Sequence, residues 1–294
     1  MPESAPLPRQ KPPAGLLIMV PHPAWLQGIM DQKLPQKTVS SHTRWLPWTG
    51  LVSLCAAGLT WWLVSRFAGL PAFILPTPMQ VAVRFWKALL DGSLLTHTLT
   101  TLAEVLLGLL TGTAAALVLG YAIARSRLFE RLVSPYLVAT QAIPIVAIAP
   151  LLVIWFGPGI FSKVLICALI VFFPVLVNTV VGVRAVPAPL RDLMRSLHAT
   201  PAQTLRMLEL PAALPVLLGG LRIGATLSVI GAVVGELVGS DHGLGFLVNV
   251  GRGQYDTALV FVAVFTLIAL ALALYGLVSF LERKLLTWQE PFKS

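Results

Sequence analysis

The chain has 294 residues, 56% of them hydrophobic and only 11% charged, with a mean hydropathy of +0.83. A soluble domain carries about 25% charged residues, so these charges are too few to cover a water-facing surface, and the apolar content equally excludes a solvated, disordered chain. The net charge of +9, from 21 Lys and Arg against 12 Asp and Glu, suits either nucleic acid or a membrane surface, and the placement of the charges decides between them.

In chain order, residues 1–44 are rich in Pro, Gln and Lys and read as a cytoplasmic, partly ordered tail. The apolar run 14–20 has no small-residue cleavage site behind it and is no secretory signal, and 24–34 carries the pattern of a short interfacial helix. A helix crossing hydrocarbon needs about 20 mostly apolar residues. The segments 45–64, 104–124, 132–156, 164–183, 214–238 and 258–280 meet that need. The third is the least regular, because Pro135, Pro144 and Pro150 each remove a backbone donor. These segments predict an all-α integral membrane protein with six transmembrane helices over 45–288, and a short tail at 289–294. Cys55 and Cys167 lie inside apolar runs, match no metal spacing and read as small buried hydrophobes.

Lys and Arg concentrate on the cytoplasmic side of a membrane protein. With the N-terminus inside, that side holds Arg9, Lys11, Lys33, Lys37, Arg44, Arg125, Arg127, Arg131, Arg184, Arg191, Arg195, Arg206, Arg283, Lys284 and Lys293. The other side holds Arg66, Arg84, Lys87, Lys163 and Arg252. Fifteen against five puts both termini in the cytoplasm, and it accounts for the basic balance without nucleic acid.

Close helix packing in lipid relies on small residues. Gly108, Gly112, Ala116 and Gly120 recur along the second span, and Gly220, Gly224, Gly231, Gly235 and Gly239 along the fifth; they predict closely opposed helices, within the bundle or across a dimer. Ionisable groups inside a span are costly. Glu104 and Glu236 are expected near the outer ends of their helices, within reach of water, and Arg222 lies deeper. Gln141, Pro144, Asn178, Arg222, Thr226, Ser228 and Glu236 are read as linings of a solute pathway; for the hydrogen-bonding ones, bonds between helices are the other reading. No pair of intramembrane carboxylates with the look of a proton or sodium relay is expected. His22, His42, His97, His198 and His242 are scattered, no catalytic or metal cluster is visible, and no Gly-x-x-x-x-Gly-Lys-Ser/Thr loop exists to cradle a nucleotide.

The longest polar stretch between spans is 184–215. Pro187 and Pro189 end the fourth span, 191–198 has helical periodicity, and Thr200 is an N-cap with Pro201 at the first helical position. A second short helix is expected over 202–208, stopped before Pro211. Two such helices either lie on anionic lipid or present a knob to a soluble partner.

This stretch is similar to the EAA loop of permease subunits of binding-protein-dependent, ATP-driven (ABC) importers. That pattern is Glu-Ala-Ala, three residues, Gly, nine residues, Ile, any residue, Leu-Pro. Here Asp192-Leu193-Met194 stands for Glu-Ala-Ala, Arg195-Ser196-Leu197 for the three, His198 for Gly, 199–207 for the nine, Leu208 for Ile, and Glu209-Leu210-Pro211 completes the match. Leu193, Met194 and His198 depart from it; a glycine at the last of these would permit a turn that a side chain resists. Leu75-Pro76-Thr77-Pro78 before an amphipathic stretch, 142–157, 220–223, and Gly243-Leu244-Gly245-Phe246 resemble the branch serving nitrate, sulfonate, taurine and pyrimidine precursors.

The resemblance implies a type I importer permease fold (MetI-like) in the bacterial cytoplasmic membrane. A homodimer would form the pathway, two cytoplasmic ATPase subunits would seat on the loop at about 184–213, and an extracytoplasmic binding protein would deliver solute. The chain would be no enzyme and hold no cofactor, ATP and Mg being bound by the partner ATPase, and its other surroundings would be lipid and no nucleic acid. Asp192, Arg195 and Arg206 are the expected polar contacts to the ATPase, Leu193, Met194 and Leu197 the groove-filling ones, with His198, Leu210 and Pro211 completing the coupling set. On the outer side 239–254 either contacts the binding protein, through Asp241 and Asp256, or is a plain exposed loop. The implied solute is a small polar organic molecule or anion, and 143–150 and 230–236 look most like the pyrimidine-precursor or riboflavin side of the group. The alternative is an ion-coupled secondary transporter, which requires an inverted repeat and intramembrane ion ligands.

Overall fold

A computed structural model describes residues 46–286, which contain helices and no strand. The expected tails at 1–44, with its interfacial helix, and 289–294 lie outside the described residues. Contacts divide the chain into two units, Met1–Cys55 and Ala56–Ser294. Of the first, the described part is the opening of helix α1, Leu46–Phe67, whose residues 49–55 are exposed. Cys55 is therefore exposed rather than buried; an apolar side chain facing lipid gains nothing from a protein neighbour.

The second unit continues with α2 (Pro78–Leu90), α3 (Ser93–Arg125), α4 (Arg127–Gln141), α5 (Ile145–Phe156), α6 (Ile160–Arg184), α7 (Ala188–Ser196), α8 (Pro201–Thr204), a π-helical turn (Leu205–Glu209), α9 (Leu210–Gly239), α10 (Leu244–Gly253) and α11 (Thr257–Leu285). Among the described residues, five stretches are long and apolar enough to cross a bilayer: Thr49–Phe67, α3, α6, Pro201–Gly239 and α11; α4 with α5, bent by 95°, is either a broken sixth span or a re-entrant pair. Each of the six expected segments falls on one of these, with three differences.

The second span begins at Ser93 rather than at 104. Thr96, Thr98 and Thr100 each return their hydroxyl to the carbonyl four residues earlier, so a polar run that reads as loop is satisfied inside the helix. Glu104 then lies about 16 Å along α3 at 1.5 Å per residue, and is buried, as is Glu236. The expectation that water reaches both at helix ends is corrected. The third span is not one helix: Pro144 lacks an N–H and sits in extended backbone, and the chain turns between α4 and α5. Lastly, the helix expected to stop before Pro211 runs on into α9. Pro211 cannot donate to an earlier carbonyl, and the wide turn with Leu210 N–H on Leu205 O carries the chain past it.

α6 is the centre of the packing. Along α3, a Cβ built on Gly112 would lie 2.5 Å from Ala168 O and one on Gly120 2.8 Å from Thr179 Cβ. Along α9, one on Gly231 would lie 2.9 Å from Cys167 Cα and one on Gly220 2.6 Å from Asn178 Cβ. Both small-residue stripes thus press against the same helix within this chain. Lys163, placed by sequence in an outer loop, is buried in the first turn of α6 with its ammonium on Pro158 O.

At the end of the helices that meets 184–211, the loop end, charges bind the elements together. Glu209 is fully buried and accepts from Tyr121 Oη and Arg125 Nη1, both at 3.1 Å; Arg191 Nε lies 3.7 Å from it. Arg191 also donates to Val183 O at 2.5 Å, and Arg184 grips both oxygens of Glu130 at 2.7 and 2.8 Å. α3, α4, α6, α7 and the π turn are joined through these side chains.

Two stability measurements follow. Gly220→Ala forces a Cβ onto Asn178 Cβ at 2.6 Å, whereas nothing lies within 4 Å of a Cβ on Gly219. Overpacking costs about 1–3 kcal/mol, so thermal unfolding in detergent should drop for Gly220→Ala and hold or rise for Gly219→Ala. Glu209→Gln removes the charge that Arg125 and Arg191 face; hydrogen bonds to charged groups contribute about 1.5–3 kcal/mol, so its melting temperature should fall, and further than that of Tyr121→Phe.

Candidate functional site

The cytoplasmic-loop candidates lie on a built surface. Pro187 precedes α7 in extended backbone with proline geometry, and the next break is closed by a capping box in which Thr200 and Gln203 exchange backbone and side-chain bonds. Between them the chain reverses at His198, whose φ of +52° is left-handed. That is the motif's glycine position, and histidine tolerates this region better than most side chains but at a steric cost of about 1–2 kcal/mol. Ala199 N–H donates to Met194 O at 3.0 Å and His198 N–H to Arg195 O at 2.9 Å, closing the end of α7.

Leu193, Leu197, Met207 and Leu210 are exposed there, Leu197 and Met207 at 68% and 71%. Met194 and Pro211 are half-buried, and His198 and Arg206 are exposed. Asp192 and Arg195 pair with one another at 3.0 Å while remaining open to solvent. Expected coupling residues from α7 through the π turn are therefore mostly exposed apolar and charged side chains, a knob whose two parts are tied where Arg191 of α7 faces Glu209 of the π turn. Sequence reasoning missed what anchors it. Glu209 occupies the motif's unrestricted slot, and its signal was charge: with Asp192 it is one of only two acids in the basic stretch 184–213.

The pathway candidates separate. Gln141 and Pro144 lie at the α4–α5 break and line a cavity of about 640 Å³ together with Tyr136, Ile148, Leu169 and Phe172. Backbone outside a helix is tolerated at membrane depth only where it is buried in protein or lines a water-filled space, so a break beside a cavity is where polar solute could pass. Asn178 donates to Pro174 O on its own helix and packs on Gly220. Thr226 and Ser228 return their hydroxyls to Ile223 O and Ala225 O. Arg222 pairs with Glu282 and lies 5.4 Å from the Tyr275 ring centroid, beside a separate cavity of about 680 Å³.

Glu236 belongs to the opposite, far end of the helices. Its Oε1 accepts from Thr101 Oγ1 and its Oε2 from Gly245 N–H, both at 2.6 Å. Glu104, also buried, and Lys163 lie close enough to act on it electrostatically. No carboxylate pair with the look of an ion relay was expected, yet these two acids, far apart in sequence, are buried neighbours where α3 and α9 cross. The stretch 239–254 is neither a long loop nor a simple turn, because it folds into α10. Asp241 stays exposed and pairs with His242, which lowers its carboxyl below the usual carboxylate range. Asp256 caps α11 through Leu259 N–H and binds Arg84 of α2 at 2.7 Å.

Comparison with known proteins agrees with this architecture. Residues 108–287 match the family described as binding-protein-dependent transport system inner membrane component. The chain is 47% identical over 266 residues to the riboflavin transport system permease protein RibX of Chloroflexus aurantiacus, covering 88% of this chain and 99% of that one. It is 36% identical over 230 residues to the formylaminopyrimidine transport permease protein ThiX of Halalkalibacterium halodurans, covering 78% and 91%. In fold it is similar to a chain of the inward-facing MetNI methionine ABC transporter, with a TM-score of 0.57 at 20% identity over 64% of this chain and 94% of that chain. On the family match and these relatives, the chain belongs to the inner membrane permease components of binding-protein-dependent ABC transport systems.

Proposed function

We propose that two copies of this chain form the translocation pathway of an ATP-driven importer, with both termini and the loop end on the cytoplasmic side. Two ATPase subunits grip the exposed knob of α7 and the π turn, and a binding protein delivers solute at the far end. The observation that carries this reading is the pairing of an exposed apolar knob with a buried ionic stem: Leu197 and Met207 are open to a partner, while Glu209 beneath them is fully buried. A knob so held transmits force to α6 and α9, because packed elements shift between discrete arrangements rather than bending softly. The excess of Lys and Arg at the loop end supports the orientation.

The pathway runs past the α4–α5 break, where Gln141 and Pro144 face the cavity. Its aromatic and amide lining suits a small organic solute. RibX and ThiX are named for riboflavin and formylaminopyrimidine, and a heterocyclic vitamin precursor of that class is the solute we assign. The alternative is an ion-coupled secondary transporter, which the buried Glu104 and Glu236, with Glu104 Oε2 unpartnered, would serve as ion ligands; uptake that persists after ATP depletion but collapses with the ion gradient decides for it.

Coupling is tested in the complex reconstituted with its ATPase and binding protein. Leu197→Glu places a carboxylate in an apolar seat at a cost of about 1–3 kcal/mol, or roughly tenfold at 1.4 kcal/mol per decade. Stimulation of ATP hydrolysis by loaded binding protein should fall by that factor, and unchanged stimulation removes the coupling role. The pathway is tested by thiol chemistry in a Cys55→Ser background, since a thiol reacts as thiolate and needs water. Gln141→Cys should react with a hydrophilic maleimide much faster than Val118→Cys on the exposed flank of α3, and riboflavin should slow only the former. Equal rates would remove the cavity from the pathway.

A further inference from the structure

The glycine-rich stretch at the far end has a physical reason that transport by itself does not supply. α10 begins at Gly243, which has no side chain to cap a helix and a φ of +104°. A helix start leaves its leading N–H groups without partners, and here three successive amides are each taken by a side chain from another helix. Gly243 N–H donates to His97 Nδ1 at 3.0 Å, Leu244 N–H to Thr101 Oγ1 at 2.8 Å, and Gly245 N–H to Glu236 Oε2 at 2.6 Å. Thr101 Oγ1 passes its own proton to Glu236 Oε1, so the hydroxyl joins two of the three holds. Gly245 must be glycine, because a Cβ there would lie 2.9 Å from Glu236 Cβ. The carboxylate also sits at the positive end of the α10 dipole, where negative charge is favoured.

We propose that His97, Thr101 and Glu236 are positioning residues for transport that act through the leading turn of α10, and that the His97 arm of this hold exists only while Nδ1 is unprotonated. A neutral imidazole nitrogen accepts the Gly243 amide; an imidazolium has two donors and no acceptor, so protonation replaces a hydrogen bond with two opposed N–H groups. The hold is complete at high pH and loses its His97 arm as pH falls. On the orientation proposed above, which this inference rests on for its biological side, the device faces the exterior and meets external acid directly.

The charged group that acts on His97 is His242 of the 240–243 turn, which pairs with Asp241; α10 presents the Phe246 ring, 5.6 Å away, and the same turn is held by Glu236 of α9, which has Glu104 and Lys163 as its charged neighbours. His242, 6.0 Å from His97 between ring centroids, is the nearest competing sensor, and the two carboxyls are the next.

Hydrogen–deuterium exchange of the full-length chain in lipid nanodiscs, followed on peptides covering 243–253 and corrected for intrinsic pH dependence, reads the hold. Wild type should be protected at pH 8 and lose protection about tenfold by pH 5, the loss of one hydrogen bond of about 1.4 kcal/mol. Thr101→Val should exchange fast at both pH values and Thr101→Ser should restore protection. His97→Ala should be fast and independent of pH; His97→Asn, which keeps an acceptor that cannot titrate, should be protected at both; His242→Gln should behave as wild type. Riboflavin uptake by cells expressing the complete importer should follow the same order and the same pH profile. Exchange unchanged by Thr101→Val, acid release persisting in His97→Asn, or uptake indifferent to faster exchange overturns the proposal. Wild-type cells that take up neither riboflavin nor formylaminopyrimidine overturn the assigned solute class alone, and exchange still decides the hold.

Discussion

Hydrocarbon offers no hydrogen bond, so every N–H and C=O within the bilayer must find its partner in protein or in a water-filled cavity. Much of what is irregular in this chain follows from that demand. Thr96, Thr98 and Thr100 of α3 return their hydroxyls to the preceding turn and let a polar run enter a helix without orphaned groups. The π turn before α9 widens the ladder where Pro211 interrupts it, so the chain stays helical through Pro201–Gly239. The first amides of α10, which no local side chain can cap, are taken by His97, Thr101 and Glu236. Where the demand is not met by helix or side chain, at the α4–α5 break, a cavity lies alongside.

The same solvent removes the hydrophobic drive between helices, leaving close contact and internal hydrogen bonds to hold them. α6 receives the glycine faces of both α3 and α9, near enough that an added Cβ would strike backbone atoms of Ala168 or Cys167. A core so closely built leaves little room for one of the three helices to move alone. The loop end carries this further, since Glu209 joins Arg125 of α3 and Arg191 of α7. The knob offered to a partner is thereby an extension of the core rather than a tethered loop.

The parts of this architecture visible in the sequence are those written in neighbouring residues. A span sums apolar character over some twenty positions, which no single polar residue cancels, so the six segments were legible. The capping box of Thr200 and Gln203 is local, and so the start of α8 was legible too. The left-handed residue was legible only through the motif, because His198 stands where the pattern has glycine. Boundaries failed where threonine mimics a loop. The ionic partners failed for a different reason: Tyr121 and Arg125 stand 88 and 84 residues before Glu209, and Thr101 stands 135 before Glu236. Pairings at that separation are products of helix crossing, and hydropathy and spacing carry no record of which faces will cross. Hence Gln141 and Pro144, marked by the break itself, fall at a cavity, whereas Ser228 and Asn178, marked only by polarity, bond within their own helices.

One element belongs to both ends. The continuous run Pro201–Gly239 starts beside the knob, carries Glu209 at its π turn and reaches Glu236 in its last turn. The wide turn is where such a rod would bend most easily, but its Glu209 is clamped by two arginines and a tyrosine, so bending there is opposed. On the coupling proposed above, a push on the knob would be carried along α9 rather than absorbed, and α3 and α6, locked to it by their glycine contacts, would be carried with it. At the far end the leading turn of α10 is fastened by three hydrogen bonds to α3 and α9 and by the burial of Leu244 and Leu247 in the core they share with α11. The hydrogen bonds contribute about 0.5–1.5 kcal/mol each and the buried leucines add to them, so the start of α10 is tied to the same end of α9 that the run from the loop end reaches.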